Sequence, residues 1–257
     1  MASIPKKIPK TPEKIRFSML LHGMPGSGKT TLVGTAAECP EFGEVLFIDL
    51  DGGKASLRGV EGSLVEERTA ADAETHLWKV AAKAEGYDKV GLVVLDGASE
   101  LAKAELAGIS SASQKRGKRE DQDKNELQDY GLLKNRLLRL FRFAKDIPHV
   151  SVVITAWTKA TFPQGVQPTP EMQPTLLSPD FTKGVGDALA GYVDMVSYLH
   201  GDAKTKKRSL VTSAHGNIVA KTRDKEVADA LCSEGKPIMQ DPTFRKILDA
   251  YKKAYKV

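Results

Sequence analysis

The sequence of 257 residues is poor in cysteine, in aromatic residues and in long apolar stretches, and each shortage argues against a class of protein. Cys39 and Cys232 stand far apart with no CxxC or Cys/His cluster, so neither a disulfide framework nor a zinc site is indicated. No apolar run approaches the roughly 18 residues that cross a bilayer. Aromatic residues are only 6% of the chain, which leaves few rings for stacking on nucleic-acid bases.

Positive charge is concentrated at one end of the chain. The formal net charge is +5, and residues 201–257 hold 13 Lys and Arg against 7 Asp and Glu. This excess suits contact with a polyanion, and it equally suits a solvated basic face. Residues 1–15 form a basic, proline-interrupted tail without the apolar segment of a secretory signal, so we expect a protein of the reducing cytoplasm.

Apolar runs that end at glycine or aspartate alternate with helical patterns along the chain. Runs at 17–23, 44–50, 88–97 and 150–156 predict buried strands, and patterns at about 71–85, 98–108 and 127–146 predict helices. We expect an α/β fold with a mostly parallel central sheet, helices on both faces and a C-terminal hairpin turning at residues 215–217. The core is expected over 16–225, with a helical extension over 226–257.

The strongest motif is the glycine-rich segment from Gly23 to Thr30, which satisfies G-x-x-x-x-G-K-[ST] between a predicted strand and a predicted helix. Backbone N–H groups of such a loop wrap phosphates, Lys29 reaches the β and γ oxygens, and the Thr30 hydroxyl is suited to Mg²⁺. The sequence therefore predicts binding of ATP and Mg²⁺. The predicted nucleotide contacts are Gly23, Pro25, Gly26, Ser27, Gly28, Lys29, Thr30, Thr31 and Thr155.

Carboxylates at the ends of two strands are candidates for metal binding and catalysis. Asp96 ends the run LVVLD and is expected to hold Mg²⁺ together with Thr30, unless it only caps the turn at Gly97. Because glycine follows Asp96, a base directly after this strand is missing. Strand alternation predicts that Asp49 and Asp51 point to the same side, so either could be the water-activating base, and Asp51 is favoured. The alternative is that both side chains only cap the turn into Gly52 and Gly53.

Several P-loop classes are excluded by what is missing: there is no guanine-recognition motif, no LSGGQ-type signature and no Asp-Arg pair after Asp96. The P-loop, the FIDLD and LVVLD strand ends, the strand VSVVITA and the triplet Lys221-Thr222-Arg223 together resemble the RecA-type core. The match is to phage RecA-core-only ATPases of single-strand annealing and recombination, a phage Sak family with AAA-type P-loop domains. This resemblance covers about residues 16–225.

The resemblance implies roles for residues that spacing alone does not assign. It places the catalytic carboxylate at Asp51, where RecA proteins have Glu, and a polar sensor at Thr155. It implies that Lys221 and Arg223 reach the nucleotide of a neighbouring protomer. The alternative is that these charged side chains only prevent an exposed strand edge from pairing with another strand. It also places DNA-binding loops at 109–125 and 158–184, whose candidate contacts are Lys115, Arg116, Lys118, Arg119, Lys159, Phe162 and Lys183.

The expected function is that of a DNA-stimulated ATPase which assembles as a homo-oligomeric filament or ring on single-stranded DNA and promotes annealing or strand exchange. The resemblance implies a phage protein acting in the host cytoplasm, and a single-strand-binding protein is a further candidate partner. The alternative is an accessory ATP switch or loader that acts on a replication or recombination protein. A small-molecule P-loop kinase is disfavoured because no arginine-rich lid is evident.

Overall fold

Strands form a single mixed sheet through the middle of the molecule. The computed structural model describes residues 15–115, 125–165, 167–169, 172–182, 184–202 and 205–257. Within these residues the strands are β1 (Ser18–Gly23), β2 (Glu44–Asp49), β3 (Ser63–Glu66), β4 (Val90–Asp96), β5 (Ser151–Thr161), β6 (Leu176–Pro179), β7 (Met195–Gly201), β8 (Arg208–Val211), β9 (Lys221–Thr222) and β10 (Ile238–Gln240).

Helices connect most of these strands. They are α1 (Lys29–Gly34), α2 (Ala70–Ala81), α3 (Ala98–Lys115), α4 (Leu127–Asp146), α5 (Val185–Tyr192), α6 (Lys225–Leu231) and α7 (Phe244–Tyr255), with short 3₁₀ turns at Thr35–Glu38, Pro40–Phe42 and Lys54–Leu57. The boundaries predicted for α4 are confirmed, because a reciprocal cap between Glu126 and Asp129 starts the helix and its apolar stripe is buried. No helix of the described part of the chain is long and apolar enough to span a bilayer.

The order of the strands brings the chemistry to one edge of the sheet. The order is β10-β8-β7-β1-β5-β4-β2-β3, and the strands from β7 to β3 are parallel to their neighbours, whereas β8 and β10 pair antiparallel. β1 and β4 are buried along their whole length, as expected for strands covered on both faces. The carboxyl ends of β1, β2, β4 and β5 therefore meet at the same edge.

Helices cover both faces of the sheet with separate apolar cores. One core packs α2, α3, α4 and α5 against residues such as Leu95 and Ile154. The other packs α1, α6 and α7 against residues such as Met19 and Val94, and Phe17 stacks on Tyr251 with ring centroids 5.0 Å apart. The α/β prediction with helices on both faces of a mostly parallel sheet is confirmed.

The structure departs from the expected outline in four places. The segment 158–184 was expected to be a loop, but β5 continues to Thr161 and pairs antiparallel with β6, so a ribbon extends beyond the sheet. The hairpin expected at 215–217 is wrong: the hairpin joins β7 to β8, while residues 215–218 make only an isolated bridge. α3 runs to Lys115 rather than ending near 108. Residues 226–257, expected as an extension, supply β10 to the sheet and α7 to a core.

Candidate nucleotide site

The P-loop turns directly from β1 into α1. Gly26 and Gly28 have φ values of 75° and 92°, a backbone region that side chains disfavour. The Lys29 ammonium folds back to donate to the carbonyl oxygens of Gly23, at 2.9 Å, and Met24, at 3.2 Å. Burial lowers the pKa of Lys29, and the charges of Asp96 and Asp51 oppose that shift. Lys29 therefore lies between its own loop and two carboxylates on neighbouring strands.

Asp96 and Thr155 form a buried polar pair across β4 and β5. The Thr155 hydroxyl donates to Asp96 Oδ1 at 2.5 Å and accepts from the backbone N–H of Gly97 at 2.9 Å. Thr30 also hydrogen-bonds to the Asp96 side chain, from the first turn of α1. Burial raises the pKa of Asp96, while the hydrogen bonds from Thr155 and Thr30 favour its charged form. Three separate elements thus converge on one carboxylate.

The two carboxylates that were left as alternatives for the base have different contacts. β2 ends at Asp49, so strand alternation does not extend to Asp51, although the two side chains lie close enough to interact. Asp49 Oδ1 accepts from the backbone N–H groups of Asp51, Gly52 and Gly53 at 3.2, 2.7 and 3.2 Å, which is a turn-stabilising role. Asp51 instead lines the cavity that contains the P-loop.

Asp51 occupies the space that a side chain at position 97 would need. A Cβ placed on Gly97 would lie 2.6 Å from Asp51 Cβ, 2.7 Å from Cγ and 2.9 Å from Oδ2. Gly97 also has a φ of 93°. The absence of a side chain at Gly97 therefore makes room for the Asp51 carboxylate, which comes from the turn after β2.

These residues share a cavity of about 290 Å³ whose lining also includes Gly28, Thr31 and Trp157. Burial, with the nearby charges of Asp96 and Asp49, raises the pKa of Asp51, although a hydrogen bond from Gly53 lowers it. The hydroxyl of Thr30 and the carboxylate of Asp96 are oxygen donors in mutual contact, which fits a Mg²⁺ ion that takes few protein ligands and several waters or phosphate oxygens. The described residues hold no cluster of three or more His, Cys, Asp or Glu side chains suited to a metal.

Lys221 and Arg223 lie at the opposite edge of the sheet from the P-loop. Lys221 pairs with Val196 near the start of β7, and the Arg223 guanidinium donates to the carbonyl oxygen of Gly191 at 2.6 Å. Burial and the charge of Arg223 lower the pKa of Lys221, and the charge of Asp194 opposes this. Val196 is aligned with Leu20 of β1, so roughly 10 Å of strand separates Lys221 from Gly23, and roughly 17 Å separates Gly23 from Arg223, which bonds to Asp194 beside Ser18.

The candidate DNA contacts are only partly described. Lys159 is exposed and Phe162 is half-buried, where the ribbon formed by β5 and β6 leaves the sheet. Lys115 is the last residue of α3, and its side chain lies outside the described part, as do Arg116, Lys118, Arg119 and Lys183. Residues 109–115 of the first expected loop belong to α3 instead, and the second expected segment is described at residues 158–165, 167–169, 172–182 and 184.

Sequence reasoning missed Trp157 and Arg208. Trp157 pairs with Gly23 in the sheet, and Lys103 Nζ lies 3.9 Å from the centroid of its ring. Its position two residues after Thr155 was an available signal. Arg208 begins β8, lines the P-loop cavity and also lines a second cavity of about 490 Å³ beside Tyr198 and His200. Arg208 belongs to the basic excess of residues 201–257, but nothing in the sequence connected it with the P-loop, because 180 residues of chain separate it from Gly28.

Comparison with known proteins agrees with the site. A protein-family model described as an AAA domain, AAA_24, matches residues 15–223. No curated protein matches. Among solved structures, the RadB recombinase is similar, with 14% identity over 77% of this chain and 81% of that chain and a TM-score of 0.46. Since the family model covers most of the sequence, including every residue described above at the P-loop cavity, the chain belongs to the AAA_24 family of AAA domains.

Proposed function

We propose that the protein is a RecA-like ATPase that hydrolyses Mg²⁺-ATP between protomers of a filament or ring and acts on single-stranded DNA in annealing or strand exchange. The observation that carries the ATPase part is the convergence of Lys29, Thr30, Asp51 and Asp96 on one cavity at the carboxyl edge of the sheet. P-loop ATPases need these parts: a phosphate-binding loop and lysine, oxygen ligands for the metal, and a residue that orients water.

Each residue then has a separate task in hydrolysis. Lys29 leaves the carbonyl oxygens of Gly23 and Met24 to contact the β and γ phosphates. Thr30 and Asp96 would hold Mg²⁺, which neutralises charge on the phosphate oxygens. Asp51 orients the attacking water and accepts its proton, a role favoured by a raised pKa. We place the nucleoside in the larger cavity beside Tyr198 and His200, which adjoins the P-loop.

Lys221 and Arg223 support a shared active site. Neither residue lines the P-loop cavity of its own chain, so we assign their contact with a transferring phosphoryl group to the nucleotide of a neighbouring protomer. Two adjacent cations at such a position stabilise charge that develops in the transition state. A single protomer would then be a poor ATPase, and activity would rise with assembly.

Action on single-stranded DNA rests on the family resemblance and on the ribbon formed by β5 and β6. β5 begins in the sheet core, contributes Thr155 and Trp157 to the P-loop cavity, and continues to Lys159 and Phe162. A cation and an aromatic ring are the two side-chain types that hold a single strand, through phosphate contact and base stacking. The same strand therefore connects the nucleotide site to the proposed DNA contact.

The test is ATP hydrolysis by the purified protein at several protein concentrations, with single-stranded DNA, double-stranded DNA or no DNA. We expect stimulation by single strands and a specific activity that rises steeply with protein concentration. Lys159→Ala should raise the DNA concentration needed for half-maximal stimulation. The matched control is Lys89→Ala, which removes an exposed lysine directly before β4, at the amino end of that strand.

A rate of ATP hydrolysis that does not change with DNA and is proportional to protein concentration would refute an active site shared between protomers that assemble on DNA. That result would favour the alternative, an ATP switch or loader acting on a replication or recombination protein. Absence of any hydrolysis, together with nucleotide binding that Lys29→Ala abolishes, would favour the switch as well.

A further inference from the structure

Arg208 lies against the P-loop although it comes from a distant part of the chain. A Cβ placed on Gly28 would lie 2.5 Å from Arg208 Nε, 2.7 Å from Cζ and 3.0 Å from one terminal nitrogen. Gly28 already needs to be glycine because its φ is 92°. The close approach of Arg208 is a second reason, since any side chain at Gly28 would displace the guanidinium.

The hairpin of β7 and β8 is packed tightly enough to hold Arg208 in place. Arg208 is the register partner of Gly201 across the hairpin. A Cβ on Gly201 would lie 2.9 Å from the Ser27 carbonyl oxygen and 3.1 Å from its Cα, so the hairpin and the P-loop touch through backbone. On the other side, the Arg208 carbonyl oxygen accepts from the N–H of Asp241, which continues the pairing with β10. Both sides of the residue are therefore anchored.

The charge of Arg208 has no carboxylate partner among the described residues. Arg136, Arg139 and Arg245 each pair with a glutamate, whereas no ion pair or side-chain hydrogen bond of Arg208 is present in the described ranges. Arg208 is half-buried and lines both cavities. A half-buried guanidinium that faces a phosphate-binding loop is suited to an oxyanion, because its planar set of donors matches two phosphate oxygens.

We propose that Arg208 binds the nucleotide in cis, through the diphosphate that ATP and ADP have in common. This inference rests on the proposed nucleotide site. Gly28 belongs to the loop whose N–H groups surround the α and β phosphates, whereas Asp51 and Asp96 interact with Lys29, whose ammonium reaches the γ phosphate. Arg208 lies between this cavity and the one in which we place the nucleoside, which puts it beside the α and β phosphates. Arg208 is thus a binding residue that fastens the hairpin of β7 and β8 to the ligand.

The test is calorimetric titration of the full-length protein with MgADP and with the slowly hydrolysed analogue MgAMP-PNP. Arg208→Ala removes charged hydrogen bonds to the phosphates, so we expect the dissociation constants for both nucleotides to rise by about 10- to 100-fold. The value of kcat/KM for ATP should fall by a similar factor, because the lost contact contributes to ATP binding in both the ground state and the transition state. Arg208→Lys, which keeps the charge but not the paired donors, should fall between the two.

The matched control is Arg139→Ala, which removes an exposed guanidinium paired with Glu74 on the other face of the sheet. It should bind both nucleotides like the wild type. If Arg208→Ala lowers the midpoint of thermal unfolding too far for titration, Arg208→Gln keeps part of the aliphatic stem and decides the question.

Wild-type affinity of the Arg208 variants for both nucleotides would overturn the inference. So would a loss confined to MgAMP-PNP, because that result would assign Arg208 to the γ phosphate. A wild-type protein that binds neither nucleotide would refute the proposed function itself. Wild-type binding that Lys29→Ala abolishes and Arg208→Ala leaves intact would refute only the role of Arg208.

Discussion

The contact between Gly97 and Asp51 predicts that one added methyl group stops hydrolysis without removing the nucleotide. In Gly97→Ala the new Cβ would stand 2.6 Å from Asp51 Cβ and 2.7 Å from Cγ. Asp51 Cβ is bonded directly to the backbone, so rotation of the Asp51 side chain cannot relieve a contact this short. The backbone at Asp51 must shift, and the Asp51 carboxylate leaves its position. Because Gly97 is outside the P-loop, the affinity for MgADP should be unchanged.

Two magnitudes follow from this geometry. The φ of 93° at Gly97 costs a residue with a Cβ about 1–2 kcal/mol of unfolding free energy. Displacing a general base costs about 10²- to 10⁴-fold in rate. Denaturant unfolding measures the loss of unfolding free energy, and steady-state hydrolysis at saturating ATP measures the loss of rate.

Gly86→Ala is the control that separates strain from displacement. Gly86 has a φ of 79°, and a Cβ there would meet nothing within 4 Å. Both variants should lose the free energy of the positive-φ strain, Gly97→Ala should lose more because it also displaces Asp51, and only Gly97→Ala should lose turnover. Wild-type turnover by Gly97→Ala, or an equal loss in both variants, would refute the assignment of Asp51 as the base.

Three further predictions concern other parts of the molecule. Lys29→Ala should remove nucleotide binding or turnover, measured by titration and by hydrolysis, and retention of both would contradict the P-loop assignment. Arg223→Ala should keep nucleotide binding but lose DNA-stimulated turnover, and normal turnover at high protein concentration would exclude a contact in trans. His22 is buried between Thr158 and the Val219 carbonyl oxygen, and burial lowers its pKa from 6.5 to about 4. The unfolded state therefore takes up this proton first, so the free energy of unfolding should fall by up to about 3 kcal/mol as pH drops from 6.5 to 4. His22→Gln should flatten this part of the pH profile, and an unchanged slope would contradict the shift.

Local patterns in the sequence were enough for the central strands β1, β2, β4 and β5, the main helices and the phosphate loop. The G-x-x-x-x-G-K-[ST] spacing needs no distant contact, because successive residues of one loop form the cradle. The run LVVLD and the stripe in α4 likewise predict burial from their own periods. Asp51 was favoured over Asp49, but alternation along a strand could not separate them, because the strand ends at Asp49.

Tertiary structure decided the positions that depend on residues far apart in the chain. In the sequence, glycine stands at position 97, where a water-activating base could follow the strand. Only the structure shows that Asp51, from the turn after the neighbouring strand β2, fills the space beside Gly97. Arg208 is 180 residues from Gly28, and the antiparallel return of β8 beside the P-loop brings them together. The order of strands in a sheet sets such contacts. It depends on the packing of the whole core, which no single segment of sequence encodes.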